Sequence, residues 1–147
     1  WADQILCATN KTRIQINNDV RSRQGRGIEP EIGDKIIGLT NHWDFLSTNQ
    51  QWALTNGTIG IITNYQIMPY LYPPQIYDKE VKFMFTGMEI ENGRFESIPI
   101  DYDAIITGEQ AFDKKQLFAM NDFAREGGGL EAPYNFTYAY AITVHKA

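Results

Sequence analysis

Thr143, His145 and Lys146 set a hydroxyl, an imidazole and an ammonium within four residues of one another. They stand at the tip of an aromatic and β-branched run, Thr137-Tyr-Ala-Tyr-Ala-Ile-Thr-Val-His-Lys-Ala147. Hydroxyls and cations carried at a strand end can grip phosphate without reading base identity. Thr9 and Asn10 close a second apolar run, Asp3-Gln-Ile-Leu-Cys-Ala-Thr9, with a hydroxyl and an amide. Plainer readings stand beside these. Asn10 also reads as the N-cap of a helix, and His145 taken alone reads as a surface histidine.

Other chemistries find little support. No Gly-x-x-x-x-Gly-Lys-Ser/Thr loop occurs, so the chain has no P-loop cradle for a triphosphate. No acidic Walker B strand is evident. Asp101 and Asp103 could form a glycosidase-like acid pair, but they read more simply as exposed positions of an alternating strand. His42 and His145 are isolated, and the single cysteine, Cys7, adds no zinc-ligand spacing. His42-Trp43-Asp44 reads either as a binding spot in a strand-end loop or as a packed tryptophan.

The elements that position these residues fall into three parts. The Asp3–Thr9 run reads as a short buried strand. The stretch Lys11 to Arg23 reads as a polar helix that packs Ile14, Ile16 and Val20 and places arginines near its C-terminal end, where the helix dipole favours them. Gln24-Gly-Arg-Gly stops it. From Ile32 to about Thr107 the periodicity is that of strands. Asn56-Gly57 is the strongest hairpin signal, Gly60 suggests a bulge or bend, and Met68-Pro-Tyr-Leu-Tyr-Pro-Pro is a stiff loop. Glu80-Val-Lys-Phe-Met-Phe-Thr alternates as a half-buried strand, and Glu91-Asn-Gly-Arg is a turn. Five or so short strands with tight turns fit a small SH3-type barrel. After Gly108 the pattern is helical, with Ala111, Leu117, Phe118, Met120 and Phe123 sharing one face. Gly127-Gly-Gly129 is a break, and Pro133 precedes the final strand.

The two ends carry a family resemblance. Tyr140-Ala-Ile-Thr-Val-His-Lys-Ala147 resembles motif V of superfamily 1 DNA helicases of the RecD-like and phage type (exodeoxyribonuclease V alpha subunit-like), where Gln-Gly-Ser follows. Ile5-Leu-Cys-Ala-Thr-Asn-Lys, with Asn17 and Arg21, resembles the motif IV region. In this family a barrel-like insertion, subdomain 2B, interrupts the RecA-like domain 2A between these motifs, and Asp34 and Asn56-Gly57 stand where family barrels carry a Gly-Asp strand start and an Asn-Gly hairpin. The resemblance therefore implies an α+β chain with a small SH3-like β-barrel inserted into a partial RecA-like α/β domain. Residues 1–28 and 133–147 would be the partial domain 2A. Residues 29–132 would be the 2B barrel, with a helical segment near 109–125. The strands around Leu6 and Ile142 are then expected side by side.

The resemblance also implies a function. Thr143, His145, Lys146, Thr9 and Asn10 would contact single-stranded DNA. The parent would hydrolyse ATP with Mg, working with its remaining helicase domains, while this stretch alone would be inactive and bind neither tightly. One departure stands out. The wider superfamily ends this first strand in Tyr-Arg-Thr-Asn, where ring and arginine serve the nucleotide; here Cys7 and Ala8 occupy those positions. Arg13, one turn into the helix, is a partial substitute at best. The beginning at Trp1 and the stop after His-Lys-Ala are read as marks of a fragment. The alternative is a free-standing SH3-like interaction module without catalytic activity.

Composition bounds both readings. The chain has 147 residues, enough for one ordinary core and a second small subdomain. Hydrophobic residues make up 43% and aromatics 13%, which excludes disorder. A lone cysteine excludes a disulfide framework and, with no signal sequence, points to the cytoplasm. No apolar run reaches the roughly 20 residues needed to span a membrane. The net charge of −5 argues against nucleic acid at first sight, but five basic and two acidic residues in positions 1–27 give that end +3 and leave −8 for the remainder. A basic end on an acidic body can still meet phosphates, since charges are screened beyond about 8 Å at physiological salt.

Overall fold

The computed structural model describes residues 4–143. Strand β1 (Ile5–Cys7) leads into helix α1 (Asn10–Arg23), and the chain ends its described part in strands β8 (Phe136–Tyr138) and β9 (Ala141–Thr143). β1 and β9 pair in parallel, with Leu6 opposite Ile142. The expected adjacency of these two segments is therefore present. Their burial differs from expectation: Ile5 and Leu6 are exposed and only Cys7 is buried, because nothing in the described chain covers the outer face of this two-stranded sheet.

Between these ends lie β2 (Lys35–Gly38), β3 (His42–Leu46), β4 (Ala53–Leu54), β5 (Ile59–Tyr70), β6 (Val81–Ile90), β7 (Gly93–Asp101), α2 (Tyr102–Thr107) and α3 (Lys114–Arg125). Five strands form one antiparallel sheet in the order β7-β6-β5-β2-β8, and β3 pairs with β4 separately. The chain is thus α+β. Among the described residues the sheet does not close into a barrel: β7 and β8 are its edges, and a single parallel bridge, Ile100 to Tyr134, links β7 to the segment before β8. Two hydrogen bonds hold that bridge, Asp101 N–H to Tyr134 O at 2.9 Å and Tyr134 N–H to Pro99 O at 2.8 Å.

The sheet curls around Ile36, Ile62, Met84, Met88, Phe95, Ile98, Ile100 and Phe136, all sealed from solvent. Each such side chain contributes about 1.5–3 kcal/mol on burial. β6 is buried on both faces rather than one, because Phe83 packs on a second cluster with Tyr72, Phe112 and Met120 beneath α3. That helix begins with a full capping box between Asp113 and Gln116, which satisfies two otherwise orphaned amides. Leu117 and Phe123 pack inward, but Phe118 is exposed and Ala111 precedes the helix.

Several turn signals acted differently from expectation. Asn56 and Gly57 do make a turn, with Gly57 at φ +98° and Thr58 N–H donating to Thr55 O. It is not a hairpin, because β4 pairs with β3 while β5 pairs with β2 and β6. Met68 to Tyr70 belong to β5 rather than to a loop. The β5–β6 bulge lies between Ile62 and Asn64, just beyond Gly60. Gly60 itself serves close approach, since a Cβ there would stand 2.4 Å from Met88 Cγ.

Helix α1 inverts the usual burial rule. Arg13, Asn17 and Arg21, four residues apart, are buried, while Ile14, Ile16 and Val20 are only half-buried. Spacing by four puts the polar three on one face, and the rest of the fold offers that face polar partners. The Asn17 amide donates to Tyr138 O and Ala141 O and accepts from Ala141 N–H at 2.7 Å. The Arg21 guanidinium grips Asp34 through two bonds of 2.9 Å, donates to the carbonyls of Gly27 and Glu29, and lies 4.0 Å over the Tyr138 ring. Asp34, fully buried, also accepts from Glu31 N–H and Tyr140 O–H. Burial opposes its charge, but the hydrogen bonds from Arg21, Glu31 and Tyr140 prevail and hold its carboxyl below the usual range.

Candidate nucleic-acid interface

The C-terminal ends of β1 and β9 point the same way, because the strands are parallel. The crevice outside such strand ends is where open α/β sheets hold ligands. A cleft of 520 Å³ lies here, lined by Asn10, Arg13, Ile37, Leu39, Gly108, Gln110 and Thr143 among others. Two of the five residues singled out in the sequence, Asn10 and Thr143, therefore share one cleft.

Local geometry explains their placement. Thr9, in extended conformation at φ −128° and ψ 155°, is the N-cap of α1, and its hydroxyl accepts from Thr12 N–H at 3.2 Å. This corrects the assignment of the cap to Asn10. Thr9 takes the role because its extended backbone lets its oxygen reach back over the first turn. Its hydroxyl oxygen is thereby engaged in the fold. Asn10 becomes the first helical residue and is exposed on the cleft. Thr143 ends β9 and is buried. His145 and Lys146 lie outside the described residues.

Arg13 forms part of the wall. Its guanidinium donates to Thr137 Oγ1 at 2.8 Å and to Gly108 O at 2.9 Å. Burial lowers its pKa from the usual value, opposed by Cys7 and Glu109, yet a guanidinium keeps its charge in proteins. The first turn of α1 carries no acidic residue. The positive end of the helix dipole is therefore left uncompensated, which favours an anion at that terminus. Glu109, on the opposite wall, works against one.

Gln110, Asn135 and Thr137 also line this cleft and carried no motif in the sequence. The buried role of Arg13 was signalled there only by its four-residue spacing to Asn17 and Arg21. Asp101, expected exposed, is buried at the end of β7, where its Oδ1 caps α2 by accepting from Ala104 N–H. It cannot pair with Asp103 as an acid couple on one strand, because the strand ends between them. No group of three His, Cys, Asp or Glu side chains able to hold a metal ion occurs among the described residues. Nor is any helix there long and apolar enough to cross a membrane. No protein-family model matches the chain, and no curated protein matches it.

Proposed function

We propose that this chain is a segment of a superfamily 1 DNA helicase of the RecD-like type, and that the cleft beyond β1 and β9 holds phosphates of single-stranded DNA. One observation carries the reading: the two segments that resemble motifs IV and V pair in parallel and bring Asn10 and Thr143 to one cleft at a helix N-terminus. In this reading the open curled sheet, to which β8 of the C-terminal segment is joined, stands for the inserted 2B subdomain, and β1, α1 and β9 are part of domain 2A. The donors suit phosphate oxygens: an amide, a hydroxyl, a guanidinium nearby and the dipole of α1.

With no phosphate-binding loop in the sequence, MgATP would be held by other parts of the parent enzyme. The chain itself should therefore release no phosphate from ATP, with or without DNA.

The test is binding of fluorescent oligo-dT to the chain, followed by polarisation across a salt series. Asn10→Ala and Thr143→Ala should each weaken binding about tenfold or more, since a hydrogen bond to a charged group contributes roughly 1.5–3 kcal/mol. The loss should be alike for mixed-sequence oligonucleotides, because phosphates carry no base identity. Unaltered affinity in both variants, or no binding by the parent chain, would remove this reading.

A further inference from the structure

A second hollow, also of 520 Å³, lies on the β3–β4 side of the molecule and shares no lining residue with the cleft at α1, although Asn41 and Tyr134 here stand close in sequence to Leu39 and Asn135 there. Its walls are Asn41, His42, Trp43, Asp44, Phe45, Glu131 and Tyr134. Four consecutive residues of β3 line it, although a regular strand sends alternate side chains to opposite faces. The β3–β4 ladder is irregular between His42 and Leu46, which breaks that alternation.

The floor is rigid. The His42 ring stacks on Tyr134 with centroids 3.4 Å apart and planes 9° from parallel. Phe45 meets the same tyrosine edge-on at 5.8 Å and reaches inward to Phe95 at 6.2 Å. The backbone of Tyr134 is fixed by its bridge to β7. Above this floor Trp43 keeps 67% of its surface in solvent. An indole that exposed, beside a preformed hollow, offers a ring face to a ligand rather than to the core.

The charge is one-sided. Asp44 and Glu131 line the hollow, and no lysine or arginine does. Both carboxylates act on the Tyr134 hydroxyl, which burial first and then Glu131 and Asp44 push up from its ordinary pKa. His42 brings no compensating charge: burial lowers its pKa to about 4, and its Nε2 lies 2.7 Å from Thr40 Oγ1. A hollow with two anionic groups and an open indole face excludes phosphate and favours a cation that can stack.

We propose that this hollow binds the guanidinium of an arginine in an extended basic segment of a partner protein. The planar guanidinium can lie on the Trp43 indole while its five donors reach the Asp44 and Glu131 carboxylates and the Tyr134 oxygen, a geometry an ammonium cannot match. The chain beyond residue 27 carries −8, so the body that holds this hollow attracts a basic segment overall. No residue lines both hollows, and Arg13, the cation of the first cleft, has no counterpart in this one.

The experiment is a titration of the full 147-residue chain with acetyl-Gly-Arg-Gly-amide, followed by backbone amide shifts. Citrulline and lysine versions serve as comparisons. The arginine peptide should shift amides of residues 41–45 and 131–134, and citrulline, which keeps the shape without the charge, should not. Lysine should bind at least threefold more weakly. Asp44→Asn with Glu131→Gln should raise the Kd at least tenfold, and so should Trp43→Ala; these side chains are exposed, and an unchanged amide spectrum elsewhere verifies folding. Oligo-dT affinity should be unaffected in all of them. Equal shifts from arginine and citrulline, no shifts at millimolar peptide, full affinity in the double carboxylate variant, or displacement of the peptide by oligo-dT would each overturn the proposal.

Discussion

Asp101 is the side chain whose surroundings fit its charge least. Its Oδ1 accepts from Ala104 N–H, while its Oδ2 is buried without a hydrogen-bond partner. Burial, helped by the charge of Asp103, raises its pKa to about 6 from 3.8. A carboxyl whose folded pKa is raised binds its proton more tightly in the folded state, so stability rises as pH falls through 6 and levels off near 4. The shift corresponds to about 3 kcal/mol. Melting temperature should therefore climb between pH 7 and pH 4.5, and Asp101→Asn, which keeps the Oδ1 acceptor, should flatten that slope. An identical slope in both proteins would show that this carboxyl does not titrate there. None of this was legible in the sequence, where Ile-Asp-Tyr-Asp-Ala alternates like an exposed strand end. The strand stops at Asp101, and only the turn into α2 decides that its carboxyl faces inward as a cap.

At the scale of elements, the strands were more legible than the faces they bury. Turn residues at Gly33, Asn56-Gly57 and Glu91-Asn92 mark real chain reversals, because positive φ or tight turns constrain residue type locally. Which strands then pair is a long-range matter, and so the Asn56-Gly57 turn joins strands that pair elsewhere. The helix α1 shows the same limit: its apolar residues were read as the packing face, yet the face that packs is Arg13, Asn17 and Arg21. Its partners are carbonyls, a hydroxyl and a carboxylate between 6 and 124 residues distant, which no helical pattern announces. Gly60 permits a different check. Its place against Met88 and the Glu89 carbonyl leaves no room for a methyl group. Gly60→Ala should destabilise the chain by about 1–3 kcal/mol, the usual cost of overpacking, read as a lower midpoint in urea. Gly57→Ala is a poor control, since its positive φ strains any side chain. Gly27, with open space around it and no positive φ, should tolerate alanine.

For the whole molecule, the Arg21–Asp34 pair matters most, because it ties α1 to the start of the curled sheet and, through Tyr138 and Tyr140, to the approach of β9. Removing one partner leaves the other charge buried, which costs about 3–5 kcal/mol. Asp34→Asn and Arg21→Met should each lower stability by that order, while the double replacement should recover part of the loss. Equal losses in single and double variants would show that the charges are not coupled. The pH dependence has the opposite sign to that of Asp101. The pKa of Asp34 is depressed, so its contribution is complete above the unfolded value of about 3.9 and lost as pH falls through the folded value. Of these two carboxyls, one gains and the other loses in acid, so their combined contribution peaks between the range where Asp101 titrates and the lower range where Asp34 does.

The pairing of Ile5 with Ala141 closes a loop of more than 130 residues with two exposed positions and one buried on the β1 side. Closing so long a loop costs entropy before the contacts it brings together repay it. The sheet between β5 and β6 needs no such closure, because its strands are neighbours along the chain. Opening of the β1–β9 pair therefore should not require the sheet to melt. In hydrogen exchange, amides of Leu6, Cys7 and Ile142 should open with a lower free energy than those of Met84 and Phe85, and a common value for both groups would refute it. The cleft lined by Asn10 and Thr143 lies at the ends of that pair. Occupancy of the cleft would then act as a latch: a ligand that bridges the ends of β1 and β9 protects their amides while leaving those of the sheet unchanged, so the cost of joining these two strands is written directly into the affinity.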